Sequence, residues 1–380
     1  MTEKLYYQDA YTKEFSAHVL SAEPAEGGFD VILDRTAFFP EEGGQSADTG
    51  FIGDARVRYV YESCGVVHHV TDMAPSLGKT ACKIDFAERF EKMQCHTAEH
   101  ILCGIIHHLF GFDNVGFHLG EDEVTFDVNG VLDRCQLDMV ENIANEVVFS
   151  NVKIDTLFPT AEELSGIEYR AKLDITEGVR LVKIGDVDTC ACCAPHVSFT
   201  GEIGIIKILD FMKHRGGTRI WMVAGKRALW DYRARYENIK KISGMLSSPQ
   251  SEVATTLEAY ILDSDLIRAS LKSSRLRIAE LEAERVEETE TSAVFLLSDF
   301  SIPELIAFSN IANKRVGEIT VALSGSDGDY KYVISSLSID LRDMARDINF
   351  ALQGRGGGRS EMIQGSFSSS LEEIKAYFEK

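Results

Sequence analysis

The sequence lacks any apolar run approaching the roughly 20 residues a membrane-crossing helix needs, which argues against a bilayer-spanning chain. A secretion leader is missing as well, since Met1-Thr-Glu-Lys runs on into polar sequence, and the expected localisation is cytoplasmic. Positive charge is scarce: 39 Lys and Arg stand against 60 Asp and Glu, a net charge of -21. That balance argues against a protein that coats nucleic acid by bulk attraction, so any RNA contact must use local basic patches. A disulfide framework is also lacking. Cys64, Cys82, Cys95, Cys103 and Cys135 are scattered, while Cys190, Cys192 and Cys193 crowd together. In a reducing compartment such a cluster more often holds metal or sits buried.

What is present is enough for several cores. With 380 residues, 44% of them hydrophobic, the chain can form two or three compact domains. The expected fold class is α+β and multidomain. Residues 1–85 read as a small β-barrel or sandwich, because Ser16-Ala-His-Val-Leu-Ser, Gly28-Phe-Asp-Val-Ile-Leu and Ala55-Arg-Val-Arg-Tyr-Val-Tyr are short β-prone runs separated by glycine and acidic turns. The paired glycines Gly43 and Gly44, inside the segment Asp34 to Gly50, allow a sharp turn or a close backbone approach.

Residues 86–225 form a second region. Phe90, Met93, Ala98, Ile101, Leu102, Ile105, Ile106 and Leu109 recur at three- and four-residue spacing, which predicts a helix from Phe86 to Gly111. A second helix is expected from about Asp138 to Asn151, then strands at Val179–Ile184 and Ile203–Leu209. Residues 226–290 predict a helical hairpin or coiled coil, with Val253, Leu257, Tyr260, Ile267, Leu271, Ile278 and Leu281 in heptad rhythm. A homodimer through this segment or the C-terminal domain is a partner arrangement that such a seam allows. Residues 291–380 predict a small α/β domain, with Gly354-Arg-Gly-Gly-Gly-Arg359 as a loop at a helix end.

The chemistry concentrates in two residue pairs. His96 and His100 are spaced i and i+4 on the predicted helix, so both imidazoles project from one face and can reach one ion. Cys192 and His196 repeat that offset on a segment that contains Pro195 and is therefore a loop or turn. One thiolate and three imidazoles suit a single tetrahedral zinc ion better than calcium or magnesium, which prefer oxygen. Cys190 and Cys193 are near enough in sequence to substitute for Cys192. Each pair alone is more often surface or satisfied core; together they are a stronger signal. The pairs His68-His69 and His107-His108 have no partner spacing and receive no role. His96-Thr-Ala-Glu99-His100 also fits the inverted zinc-peptidase motif, with Glu99 as the catalytic candidate, but that mechanism has no use for Cys192 and His196.

His96-Thr-Ala-Glu-His100 followed by Cys192-Cys-Ala-Pro-His196-Val resembles the paired zinc motifs of alanyl- and threonyl-tRNA synthetase editing domains. Leu33-Asp-Arg-Thr-Ala-Phe-Phe-Pro-Glu-Glu-Gly-Gly-Gln-Ser-Ala-Asp-Thr-Gly50 is similar to the glycine-rich segment of alanyl-tRNA synthetases and the free-standing AlaX proteins, and Phe199-Thr-Gly-Glu-Ile-Gly204 continues the second motif. The region from Gly354 to Gly365 looks like the domain that closes alanyl-tRNA synthetases. The order of these parts is that of the long AlaX form. The central Cys193-Ala194-Pro195 departs from the family's usual Gly-Gly-Thr, leaving Cys192 and His196 in place.

The resemblance implies a hydrolase that deacylates mischarged Ser-tRNA(Ala), with Gly-tRNA(Ala) as a second substrate candidate. With nothing ahead of the β-rich region to house an ATP-dependent ligation site, no aminoacylation is expected. Thr36, Gly43, Gly44 and Gln45 are the implied substrate-binding positions. Lys213, Arg215, Arg219, Arg355 and Arg359 are the tRNA-binding candidates, because guanidinium forks match phosphate oxygens. A non-catalytic, zinc-braced tRNA-binding module is the competing reading, and the peptidase a third. Whether zinc is catalytic or structural stays open, since three protein ligands leave a free position and four do not.

Overall fold

The computed structural model of the protein describes residues 1–120, 123–171 and 178–379. They form two compact units, Met1–Ile239 and Lys240–Lys380, and the architecture is mixed α+β in both.

The first unit opens with β1 (Glu3–Lys4), β2 (Glu14–Ala25), β3 (Gly28–Leu33), β4 (Arg35–Thr36), β5 (Gly50–Ile52), β6 (Ala55–Ser63), β7 (Val66–Thr71) and β8 (Gly78–Ile84). Six of these pair antiparallel in the order β2-β3-β7-β6-β5-β8, and β8 returns to β2, so the sheet closes into a ring. Strand alternation sends Ala17, Val19, Val31, Leu33 and Val67 inward, where they pack with Phe38. A bulge between Val57 and Tyr59 lets Val57 and Val60, three residues apart, share the inner face.

Helix α1 (Phe86–Phe110) follows as the periodicity predicts and stops at Gly111, whose φ of 69° and N–H bond to the His107 carbonyl make a left-handed C-cap. Its middle is buried almost without interruption from Lys92 to Ile106, so its polar residues there face protein. The chain continues through β9 (Asn114–Leu119), β10 (Val124–Val128), α2 (Arg134–Phe149), β11 (Ile154–Leu157), the one-turn α3 (Ala161–Leu164), β12 (Leu181–Ile184), β13 (Asp188–Ala191), β14 (Ile206–His214), β15 (Gly217–Ala224) and α4 (Gly225–Leu246). Two antiparallel sheets result, β14-β15-β10-β9 and β11-β12-β13. Residues of α1, α2, β10 and β15, among them Ile101, Leu102, Val140, Phe126 and Ile220, share one core. Helix α2 begins four residues before the expected Asp138, because Asp133 and Gln136 form a capping box at Arg134.

The second unit comprises α5 (Val253–Glu284), β16 (Ala293–Leu296), α6 (Ile302–Ala312), β17 (Thr320–Ser326), β18 (Asp329–Ser335), α7 (Leu341–Ala351), β19 (Arg355–Arg359), β20 (Met362–Phe367) and α8 (Leu371–Phe378). Its sheet order is β16-β17-β18-β20-β19. The C-terminal end of α5 packs Ala279 and Ala283 against Leu305, Phe308 and Ala312 of α6, while Leu257, Tyr260, Ile267 and Leu271 remain exposed. The glycine stretch 354–359 is not the loop expected: Arg355 to Arg359 is a strand paired antiparallel with β20. Its glycines serve close approach rather than helix capping. A Cβ on Gly356 would sit 2.3 Å from the Tyr332 hydroxyl and 2.4 Å from the Gln364 carbonyl oxygen, which only hydrogen tolerates.

Candidate metal centre

The glycine-rich segment between β4 and β5 is tied to the first turns of α1 by a buried ion pair. Arg89 donates through Nε to both Asp48 oxygens at 2.9 Å, through Nη2 to Asp48, and through Nη2 to the Ala37 carbonyl at 2.6 Å. Lys92 adds a bond to the Ala47 carbonyl at 2.6 Å. This anchoring brings Gln45 to α1, where its Oε1 lies 2.9 Å from His96 Nδ1. Gly44 turns the chain at φ 85°, and a Cβ there would lie 2.6 Å from the Phe117 carbonyl oxygen. Its own carbonyl accepts from Leu119 N at 3.0 Å, so β9 holds the segment from the far side.

The loop after β13 supplies the second pair. Arg180, just ahead of β12, donates from Nη1 to the carbonyls of Cys192 at 2.7 Å and Ala194 at 2.9 Å, which fixes the turn through Pro195. One atom each from His96, His100, Cys192 and His196 lies within 4.8 Å of the others. Cys192 Sγ is 3.7 Å from His96 Nε2 and 3.3 Å from His196 Nε2. Tetrahedral zinc, with bonds of about 2.0–2.1 Å to nitrogen and about 2.3 Å to sulfur, would hold such atoms about 3.6 Å apart.

Each imidazole is oriented by an acceptor at its other nitrogen. His96 Nδ1 meets Gln45 Oε1 at 2.9 Å, and His100 Nδ1 meets Asp188 Oδ2 at 3.0 Å. His196 Nδ1 meets the Thr97 hydroxyl at 3.0 Å, and that hydroxyl spends its own hydrogen on the Met93 carbonyl at 2.7 Å. All three rings are thereby assigned hydrogen on Nδ1, which leaves the Nε2 lone pairs for a cation, as second-shell partners do in metal sites. Asp188 is itself gripped by Arg170, Nε to Oδ1 at 2.8 Å and Nη2 to Oδ2 at 2.9 Å.

The electrostatics favour a cation. Burial would raise the Cys192 thiol, but the imidazoles of His96 and His196 hold it well below the ordinary cysteine value. Burial pushes His196 down to about 3, so its ring is neutral at physiological pH. Burial also opposes charge on His100, yet Cys190 and Asp188 hold it well above the usual histidine value, so its Nε2 carries a proton that a bound cation would displace. Burial would raise Asp188, and the hydrogen bonds from His100 and Arg170 outweigh it and keep the carboxyl low.

The other candidates fall in different places. Gly43 lines a cleft of about 1280 Å³ beside the cluster, together with Tyr7, Glu42, His100, Cys190, Cys192 and Cys193. Thr36 is fully buried, its hydroxyl bonded to His69 Nε2 at 2.9 Å and to the Phe38 amide at 3.1 Å. The Glu99 carboxylate faces Cys103 Sγ at 3.1 Å and the Asn114 amide, and it is not among the converging ligand atoms. Cys190 groups with His100 and Asp188. Lys213 and Arg215 are exposed at the β14–β15 turn, whereas Arg219 is engaged by Asp127 at 2.7 and 2.8 Å. Arg355 and Arg359 are exposed on β19 of the second unit. Sequence reasoning missed Thr97, Asp188, Arg170 and Arg180; only Thr97, next to His96, carried a positional hint.

A family model described as the second additional domain of threonyl and alanyl tRNA synthetases matches residues 179–225, the interval that holds Cys192 and His196. The alanyl-tRNA editing protein AlaX-L of Pyrococcus horikoshii is 26% identical over 98% of this chain and 96% of its own length. The alanine–tRNA ligase of Halobacterium salinarum is 34% identical over 86% of this chain, which spans 38% of that relative. The alanine–tRNA ligase of Pyrococcus abyssi is 29% identical over 96% of this chain and 42% of its own length. Among solved structures, the C-Ala domain of Aquifex aeolicus alanyl-tRNA synthetase covers 23% of this chain at 19% identity and a TM-score of 0.21, a likeness too slight to bear on the fold.

Proposed function

We propose that this chain, which resembles the AlaX family of alanyl-tRNA editing proteins along nearly its whole length, is a zinc-dependent deacylase of mischarged tRNA(Ala) acting in the cytoplasm. Ser-tRNA(Ala) is the foremost substrate and Gly-tRNA(Ala) the second candidate. The observation that carries the reading is the set of three imidazoles, each tied at Nδ1, whose Nε2 atoms converge with the Cys192 thiolate beside an open cleft. His96, His100, Cys192 and His196 would hold the ion. Held by all four it would brace the site, and with one of them displaced it would supply a Lewis acid for ester hydrolysis.

The reaction adds water across the aminoacyl ester and releases an amino acid and a free ribose hydroxyl. The chain's own part is positioning. Gln45 and Asp188 keep two rings in register, and the Gln45 amide nitrogen is a buried donor left without a partner among the described residues, available to a substrate oxygen. Gly43 lets the wall of the cleft turn at a left-handed φ of 64°, and a Cβ there would make only ordinary contact with the Cys193 thiol at 3.5 Å. Thr36, through His69 and the Phe38 amide, sets the course of the segment that carries Gly43, Gly44 and Gln45. Lys213, Arg215, Arg355 and Arg359 are the proposed phosphate contacts, with Arg219 in a supporting role because Asp127 already holds it.

The test is direct. Purified protein should release serine from Ser-tRNA(Ala), and His96→Ala or Cys192→Ala should abolish release. Binding without hydrolysis would point instead to a zinc-braced RNA module, and cleavage of a peptide with no effect on the tRNA would favour the inverted-motif peptidase.

A further inference from the structure

Helix α4 carries Lys226, Arg227, Arg233, Arg235, Lys240 and Lys241 against only Asp231 and Glu237, in a chain whose net charge is -21. It also shows aromatic rings to solvent. Trp230 is 47% exposed, Tyr232 64% and Tyr236 44%. The two tyrosines, one turn apart, lie with ring centroids 6.2 Å apart and planes 22° from parallel. Leu229, Tyr232, Arg233 and Tyr236 follow at spacings of three, one and three residues and so share one helix face. A solvent-exposed stack of two rings beside a guanidinium has no role in a core.

We propose that this face of α4 is a docking surface for unpaired nucleotides of an RNA, with a base continuing the Tyr232–Tyr236 stack and Arg233 meeting the adjoining phosphate. The proposal rests on the reading above in taking the partner to be tRNA, and it adds a contact that none of the positions discussed so far includes. Base stacking on exposed aromatics is sequence-tolerant, and nearby cations supply the backbone attraction. The charge argues against a second copy of this chain as the occupant, since a two-fold contact would set one basic helix against the same basic helix. Tyr232 and Tyr236 belong to the same compact unit as the cleft, on a helix that starts against the face of α1 turned away from His96 and His100. Gly225, where α4 starts, approaches α1 so closely that a Cβ there would lie 2.4 Å from Gln94 Oε1, two residues before His96. At about 1.5 Å per residue, Tyr232 and Tyr236 stand about 10 and 17 Å along the axis from that point.

The experiment measures the affinity of full-length protein for fluorescent, unacylated tRNA(Ala), and in parallel the steady-state hydrolysis of Ser-tRNA(Ala). Replacing Tyr232→Ala together with Tyr236→Ala should weaken binding at least tenfold and raise KM while leaving kcat within twofold. Tyr232→Phe with Tyr236→Phe, which keeps both rings, should bind within twofold of the parent, and because alanine is the strongest helix former a loss in the alanine variant cannot be put down to helix disruption. Arg233→Ala should lower the slope of log affinity against log salt by about one unit. Equal affinity of the parent and the double alanine variant would overturn the surface while leaving the deacylase reading intact. A parent that binds tRNA through Tyr232 and Tyr236 but releases no serine would uphold the surface and sink the deacylase reading. Dissociation of a dimer by the alanine pair with unchanged tRNA affinity would also overturn the proposal.

Discussion

Replacing Thr97 by valine removes one oxygen and almost no volume, which tests its part in holding the His196 loop with little change in packing. That oxygen accepts from His196 Nδ1 at 3.0 Å and from the Val197 amide at 3.4 Å, and donates to the Met93 carbonyl at 2.7 Å. In Thr97→Val the imidazole N–H is left buried with no acceptor, since Thr97 is fully buried and His196 is 5% exposed. An unpaired buried donor costs about 1–3 kcal/mol. The ring can avoid this only by moving its hydrogen or turning, and either change spoils Nε2 as a ligand. Loss of such a partner typically weakens metal binding about 10–100-fold, the equivalent of about 1.4–2.8 kcal/mol, so the two estimates agree in size. Competition against a zinc chelator should therefore show affinity reduced by at least tenfold, and Thr97→Ser, which restores the hydroxyl, should recover most of it. Zinc affinity within twofold of the parent in Thr97→Val would refute the orientation argument.

Three further outcomes are expected. Gly44→Ala must accommodate a Cβ that starts 2.6 Å from the Phe117 carbonyl oxygen at a φ of 85°, a backbone strain of about 1–2 kcal/mol before any clash; a lower Tm and slower deacylation should follow, and an unchanged Tm would contradict it. Arg180→Met takes two hydrogen bonds from the carbonyls of Cys192 and Ala194, so zinc should dissociate faster from the variant in a chelator-quench assay, with an unaltered rate counting against the clamp. His69, held down to about 4 by burial, is neutral when folded and protonated when unfolded between about pH 6.5 and 4. Stability should thus be present above that window and lost as pH falls through it, by about 2 kcal/mol between pH 7 and 5; His69→Gln should show a smaller loss in denaturant titrations, and equal losses would remove His69 as the cause.

Helix α1 was legible because its apolar spacing and the glycine after it are local signals, and the same periodicity put His96 and His100 on one face. The pairing of that face with Cys192 and His196 was readable only as a match of ligand types. What holds the ligands was not readable. Asp188 lies 88 residues from His100 and Arg89 lies 41 residues from Asp48, and no periodicity links such positions; only the packing of α1 between a strand and a glycine-rich segment brings them together. The stretch 354–359 misled for a different reason. Glycine permits a flexible loop and a closely packed strand alike, and the choice was made by Tyr332 and β20, which lie elsewhere in the chain. The start of α2 shifted because a capping box at Asp133 outweighs the onset of the apolar pattern.

The central claim is that two distant pairs of side chains hold one ion between them. The most direct measurement is elemental analysis of the protein after dialysis against buffered zinc, beside His96→Ala and Cys192→Ala treated in the same way. The account predicts one zinc per chain in the parent and a large loss in both variants. Retention of one equivalent in both variants, or no bound zinc in the parent, would contradict it.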